Sequence, residues 1–218
     1  MAQVSYDTLF PQCMVELPGV PAILLTNALN NAAVTLCKRS ACWKAWQDIT
    51  LVAGVSAYEV ELPSAGARLD SILQVSLSGY ALTPTSNEAL TEELPGYVDY
   101  SGTPSSFFIN DDGELVVSPT PGDADAGLIL KVRASFVPAL LSAGLESRLI
   151  DRYGMALCAG AKAELMRMPG KEWGNPPMSA YYENEFKRAV DEAVIDQSHG
   201  TINGISLSVT GRAFGSRP

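Results

Sequence analysis

The chain has 218 residues, 47% hydrophobic and 18% charged, with a formal net charge of −9. That balance suits one globular domain, or one domain with an insert. No run approaches the roughly 18–20 apolar residues of a membrane helix, and the opening MAQVSYDTLF has neither the basic nor the apolar part of a secretory leader, so neither a membrane partner nor export is expected.

Residues 1–46 read as an N-terminal arm, carrying Tyr6, Phe10 and Pro11, followed by a first helix. The helix begins near Pro21 and turns Leu25, Leu29, Ala32 and Leu36 to one face. It is expected to continue through Cys37 to Trp46, with a break near Ser40. Lys38 and Arg39 beside Trp43 and Trp46 mix bases with aromatics as single-strand binders do. Core or interface anchoring is the better reading of the two tryptophans, because aromatic burial dominates such positions. Cys13, Cys37, Cys42 and Cys158 are scattered, and the single histidine, His199, is distant. Without CxxC pairs or nearby histidines no zinc site is expected. The thiols read as reduced, with Cys37 and Cys158 in helical core stretches.

After Trp46 the hydrophobic period becomes two, and residues 47–138 read as an inserted antiparallel β-domain of roughly six strands. Ile49–Val52 and Ala57–Leu62 flank Ala53-Gly54-Val55-Ser56 as a hairpin. Leu73, Val75 and Leu77 alternate with polar residues ahead of a turn at Gly79. Thr85-Ser86-Asn87-Glu88 has capping-box spacing and starts a short helix toward Leu94. Phe107–Ile109 and Leu115–Val117 bracket Asn110-Asp111-Asp112-Gly113, where Asp-Gly signals a hairpin turn. Leu128, Leu130, Val132, Ala134 and Phe136 share one face of a last strand, Lys131 and Arg133 the other, and Pro138 ends it.

Residues 139–197 read as a helical hairpin. Leu149, Tyr153, Leu157, Ala161 and Leu165 form one stripe, and Met178, Tyr182, Phe186, Ala189 and Ala193 the other. Pro169-Gly170 stops the first helix and Asn175-Pro176-Pro177 starts the second. Trp173 lies in the tight loop between them, as a plug over the bundle end or an intersubunit anchor. Residues 198–218 read as an extended C-terminal arm in which Ile205, Leu207 and Val209 alternate with serines, followed by Arg212, Phe214 and Arg217. So polar and glycine-rich an end frays alone and is expected to gain its order on another chain. The fold class is therefore α+β: a bundle of one N-terminal helix and a C-terminal helical hairpin, with the β-insert between them.

Charge is divided sharply along the chain. Residues 47–130 hold thirteen acids and one base, Arg68, a net of −12, and the remainder is +3. Such asymmetry bears on partners and solubility. Besides solvation, it describes a surface that must not grip a polyanion, since an acidic wall repels DNA phosphates. Catalysis finds no foothold. GxSxG, P-loop, HExxH and GxGxxG patterns are all missing from the sequence, His199 has no companion base, and Asp111-Asp112 before Gly113 reads as turn chemistry rather than a catalytic pair. No cofactor is expected.

The order of several short stretches resembles a known family. They are the helix Asn27 to Trp46 with its Cys-Lys-Arg-Ser-x-x-Trp ending, the strand Tyr58 to Pro63 and the run Leu115-Val116-Val117-Ser118-Pro119-Thr120-Pro121. The strand reaching Pro138 and the Lys162–Asn175 stretch with Pro-Gly-Lys-Glu-Trp complete the series. In this order the chain resembles the head-to-tail adaptor (connector) proteins of tailed bacteriophages, of the tail tubular protein A type. The resemblance implies a helical bundle with an inserted β-domain, assembled as a ring, usually of twelve subunits, below the portal and around the DNA channel. It implies as partners further copies of the chain, the portal protein and a distal tail or nozzle protein, with DNA passing without specific binding. It places the protein in the virion, at the head–tail junction, after synthesis in the host cytoplasm. On this reading Trp43, Trp46, Trp173, Ile205, Leu207, Val209, Arg212, Phe214 and Arg217 are interface candidates, and Glu59, Glu61, Asp111, Asp112 and Glu114 are channel-facing candidates. The alternative is an acidic β-rich ligand-binding module on a helical scaffold, binding saccharide through stacking surfaces at Tyr58, Tyr97 and Tyr100.

Overall fold

The computed structural model describes residues 3–93 and 95–199. In chain order its elements are β1 (Gln3–Ser5), α1 (Phe10–Met14), α2 (Ala22–Ser40), β2 (Lys44–Thr50), β3 (Ala57–Tyr58) and β4 (Ala67–Leu77). There follow β5 (Tyr80–Ala81), β6 (Thr83–Pro84), α3 (Asn87–Glu93), β7 (Ser106–Ile109), β8 (Leu115–Ser118) and β9 (Ile129–Pro138). The last are β10 (Gly144–Glu146), α4 (Ser147–Met166) and α5 (Pro176–His199). The fold is α+β. One four-stranded sheet has the order β2-β9-β4-β5, another the order β3-β8-β7-β6, and β1 pairs with β10. All these pairs are antiparallel except β6 with β7, which run parallel. Eight strands, not six, lie between residues 44 and 138.

Two local expectations fail, for physical reasons that lie close together. The first helix does not reach Trp46. The Ser40 hydroxyl donates back to the Leu36 carbonyl at 2.8 Å, and Ala41 takes the left-handed conformation with φ 48° while its N–H closes on the Cys37 carbonyl. The chain then enters β2, where Trp46, Asp48 and Thr50 are exposed and Ala45, Gln47 and Ile49 half-buried, a period of two. The expected hairpin between residues 49–52 and 57–62 does not form either, since β2 pairs with β9 and β3 with β8. Residues 51–56 instead carry the chain from one sheet to the other. The Tyr58 hydroxyl secures that crossing, accepting from Val52 N–H at 3.1 Å and donating to the Val55 carbonyl at 2.8 Å.

The N-terminal arm holds β1 and α1, β10 precedes the helical hairpin, and Leu128 stays exposed ahead of β9, while several other elements lie where the pattern puts them. The Asn110–Gly113 turn joins β7 to β8, with Gly113 at φ 82°. Ser86, one residue after the expected Thr85, caps α3 by accepting from Ala89 N–H at 3.1 Å. Asn175 caps α5 by accepting from Met178 N–H at 3.3 Å, and Gly170 takes φ 71° after the end of α4, as a helix stop followed by a new start requires.

One hydrophobic core runs through the helices and both sheets. Leu130, Val132, Ala134 and Phe136 of β9 are buried on the face that α2 covers. Alternation on the second sheet sends Phe107, Leu115 and Val117 into this core and Phe108 and Val116 to the opposite face, where they meet Leu90 of α3 and Tyr97. The three long helices pack on one another. At their crossing a Cβ on Gly160 would stand 2.8 Å from Ala32 Cβ and 3.2 Å from the Phe186 ring, so only glycine lets α4 approach both neighbours this closely.

Candidate assembly and channel surfaces

The acidic residues of the 47–130 segment are placed as a surface, with little neutralisation. Glu59, Glu61, Asp111 and Asp112 are exposed and Glu114 half-buried. The β3–β8 register ends on Tyr58 opposite Leu115, so Glu59 and Glu114 follow it at the same end of the second sheet, next to the Asp111-Asp112 tip. Asn110 stiffens that tip, donating to the Glu114 carboxylate at 2.9 Å and accepting from Glu114 N–H at 2.8 Å. Among the described residues no ion pair involves any acid of this segment; all lie on the N-terminal elements, the residue 146–148 corner and the helices. Asp125 is the buried exception, accepting from the Thr103 hydroxyl at 2.9 Å. With so few counter-ions, the segment's charge remains as a field directed at whatever it faces.

The aromatic candidates separate by burial. Trp43 is 3% exposed and meets Phe136 edge-on at 6.4 Å, so it fills the subunit's own core and is not offered at the surface. Trp46 is 55% exposed on the outer face of β2, with the Arg133 guanidinium 5.6 Å over its ring. Trp173 is half-buried against the core, its indole N–H buried without a hydrogen-bond partner among the described residues, and Lys171 stands 5.9 Å over its ring. Ile205, Leu207, Val209, Arg212, Phe214 and Arg217 lie outside the described residues. The tyrosines of the saccharide reading are dispersed. Tyr58 is buried with its hydroxyl engaged, Tyr97 packs edge-on to Phe108 at 6.4 Å while donating to Asn87, and Tyr100 alone is well exposed.

A surface missed in the sequence is the loop after β9. Leu140 and Leu141 are 80% and 79% exposed, on a segment whose Ala139 and Leu140 carbonyls both accept from the buried Asn30 side chain at 3.0 Å. Two leucines held out rigidly differ from a frayed loop, and such display marks contact surfaces. Their apolar character next to a strand reads in sequence as core, and nothing local reveals that Asn30 fixes them from outside.

The described surface thus offers an acidic sheet end, an exposed tryptophan and two projecting leucines. A family model described as the SU10 adaptor protein matches residues 5–205. The chain belongs to the SU10 adaptor protein family. The match spans most of the sequence, and it bears out the resemblance to phage head-to-tail adaptors. No curated protein matches the chain. Among the described residues no helix of this adaptor is long and apolar enough to cross a membrane.

Proposed function

We propose that this adaptor is a structural virion component that assembles with further copies of itself into a ring, usually of twelve, between the portal protein and the distal tail or nozzle protein. DNA passes through the ring without being gripped. The observation that carries the reading is the family match over residues 5–205 taken together with an acidic segment whose carboxylates make no ion pairs among the described residues. Mechanism here is mechanical and electrostatic, with no bond chemistry. The helices α2, α4 and α5 form the wall as a bundle, and the β-segment stands as its insert, facing the channel or the distal tail. Glu59, Glu61 and Glu114, with Asp111 and Asp112, present negative charge there, and repulsion of phosphate keeps the passage from becoming a binding site. Residues 198–218 latch a neighbour or the portal.

Native mass spectrometry and sedimentation of the purified chain, alone and with its portal protein, test the reading. A closed oligomer in either mixture is the expected result, and a chain that stays monomeric in both overturns it. Deleting residues 200–218 should leave the fold soluble and remove portal attachment or ring closure; assembly at the wild-type level would remove the latch from the scheme.

A further inference from the structure

A cleft of about 210 Å³ opens between the start of β2, the first turns of α4 and the end of α5. Its lining includes Lys44, Arg148, Arg152, Tyr153 and Gln197, and no carboxylate. Arg148 and Arg152 reach acids off the wall, Glu146 at 3.4 Å and Asp196 at 2.7 Å, whereas Lys44 forms no ion pair among the described residues. Burial first, and then Arg133, push the Lys44 amine below its usual range; Cys42, which also lines the cleft, opposes them and Arg148 adds to them. Tyr153 is 7% exposed, and its hydroxyl is buried with no hydrogen-bond partner among the described residues. Burial pushes that hydroxyl's pKa up, and the adjacent Gln197 side chain draws it partly back. A buried donor left unpaired is costly, and here it lines a cleft of cations at the positive end of a 20-residue helix. Such a set of donors suits a carboxylate.

The chain itself carries the complementary piece. Asp111 and Asp112 stand exposed at the tip of the β7–β8 hairpin, held stiff by Asn110, and form no ion pair among the described residues. Residues 200–218 contain no Asp or Glu, so the C-terminal arm of a neighbour has no acidic side chain to offer. We propose that the cleft of one copy receives the Asp111-Asp112 turn of the next, as the seam of the ring. The inference rests on the ring reading and moves these two acids from channel to seam. Socket and knob are different surfaces of one chain, so the contact is heterologous and repeats from copy to copy, which is what a closed ring requires.

Paired charge reversals test it. Lys44→Glu/Arg148→Glu alters the socket and Asp111→Lys/Asp112→Lys the knob. Each variant alone should drop to monomer in native mass spectrometry, and an equimolar mixture should recover the wild-type oligomer, since every seam in an alternating ring then joins opposite charges. Either variant assembling as wild type does, or a mixture that stays monomeric, overturns the seam while leaving the ring intact. Lys44→Gln/Arg148→Gln, a gentler change, should weaken assembly at least tenfold if the reversed socket fails to fold. Should wild type stay monomeric both alone and with its portal protein, the ring reading fails and a peptide spanning residues 107–117 decides the site separately by titration of tryptophan fluorescence. Binding at least tenfold weaker in Lys44→Gln/Arg148→Gln and several-fold weaker in Tyr153→Phe supports the cleft. No binding to wild type overturns it, as does a short DNA duplex that displaces the peptide, which would make phosphate the anion.

Discussion

Asn30 is the residue on which the N-terminal arm, α2 and the exposed leucine loop converge. It is 2% exposed, accepts from the Tyr6 hydroxyl at 3.2 Å and donates to the Ala139 and Leu140 carbonyls at 3.0 Å each. Burial and the nearby Cys37 raise the Tyr6 hydroxyl's pKa, so the phenol stays protonated as the donor. Leucine in place of Asn30 keeps the branched shape, adds bulk at a buried site and strands three polar groups. Asn30→Leu should therefore cost about 2–4 kcal/mol in chemical denaturation, and Tyr6→Phe about 1 kcal/mol. Their double variant should lose less than the sum, because they share one network. Trp173 offers a second test at this scale. Packed against the core with an unpaired indole N–H, it contributes through area rather than hydrogen bonding. Trp173→Ala should cost about 2–4 kcal/mol, while Trp173→Phe stays close to wild type. An unchanged melt for Trp173→Ala would shift its role to an interface, where assembly rather than melting registers the loss.

Among elements, the segment after α1 is fastened to the helical hairpin by a small ionic cluster. Lys162 of α4, its side chain 10% exposed, pairs with Glu16 at 3.0 Å and stands 4.9 Å over the ring of Tyr182, whose hydroxyl donates to the other Glu16 oxygen. The Tyr182 hydrogen bond, followed by Lys162, holds the Glu16 carboxyl below its usual range. A depressed folded-state pKa gives stability that is present above the unfolded value, about 4.3 for glutamate, and lost as pH falls through the folded value. The melting difference between wild type and Glu16→Gln should thus be constant from about pH 6 to 8 and shrink below about pH 4.5. At the alkaline end, burial and then the Glu16 carboxylate push Tyr182 up to about 12. Its contribution is present below the ordinary phenol value and lost as pH rises through the folded one. This cluster was invisible in the sequence, because its members are separated by 146 and 166 residues. The helical hairpin was legible, since stripe, stop and cap are all local, and so was the β7–β8 turn. The β2–β9 pairing was not: it depends on a partner about 85 residues away that no local pattern names. The Ala41 break was half legible, as Ser40 marked the weak point while the switch to period two from Lys44 was overrun by helix-compatible residues. Of the candidate surfaces, sequence gave the acidic segment by counting. The cation cleft escaped it, since Arg148 and Arg152 declare themselves at helical spacing but Lys44 joins them only through the fold.

For the whole molecule the deciding quantity is the division of charge. Thirteen acids stand against one base in residues 47–130, and those at the end of the second sheet sit together without counter-ions among the described residues. Facing a channel, each opposes a phosphate within a Debye length of about 8–10 Å at physiological salt, so the purified adaptor should show no appreciable affinity for duplex DNA. Glu59 and Glu61 make no hydrogen bond to the Asn110–Glu114 tip among the described residues, whereas the Glu114 carboxylate accepts from Asn110 and belongs to the knob, so the first two are the positions to alter. Replacing both by lysine changes the local charge by four units in each subunit, enough to turn repulsion into attraction across a narrow passage. The assembled variant ring should then bind duplex DNA with an affinity that falls steeply as salt rises, since each neutralised phosphate releases a counter-ion. Particles carrying it should assemble normally and eject DNA more slowly. Charge reversal of Asp111 and Asp112 should do the opposite, harming assembly before ejection is ever reached. Ejection at the wild-type rate from particles confirmed to contain the double-lysine protein would put these two glutamates on the outer surface, where their charge serves solubility and nothing in the channel.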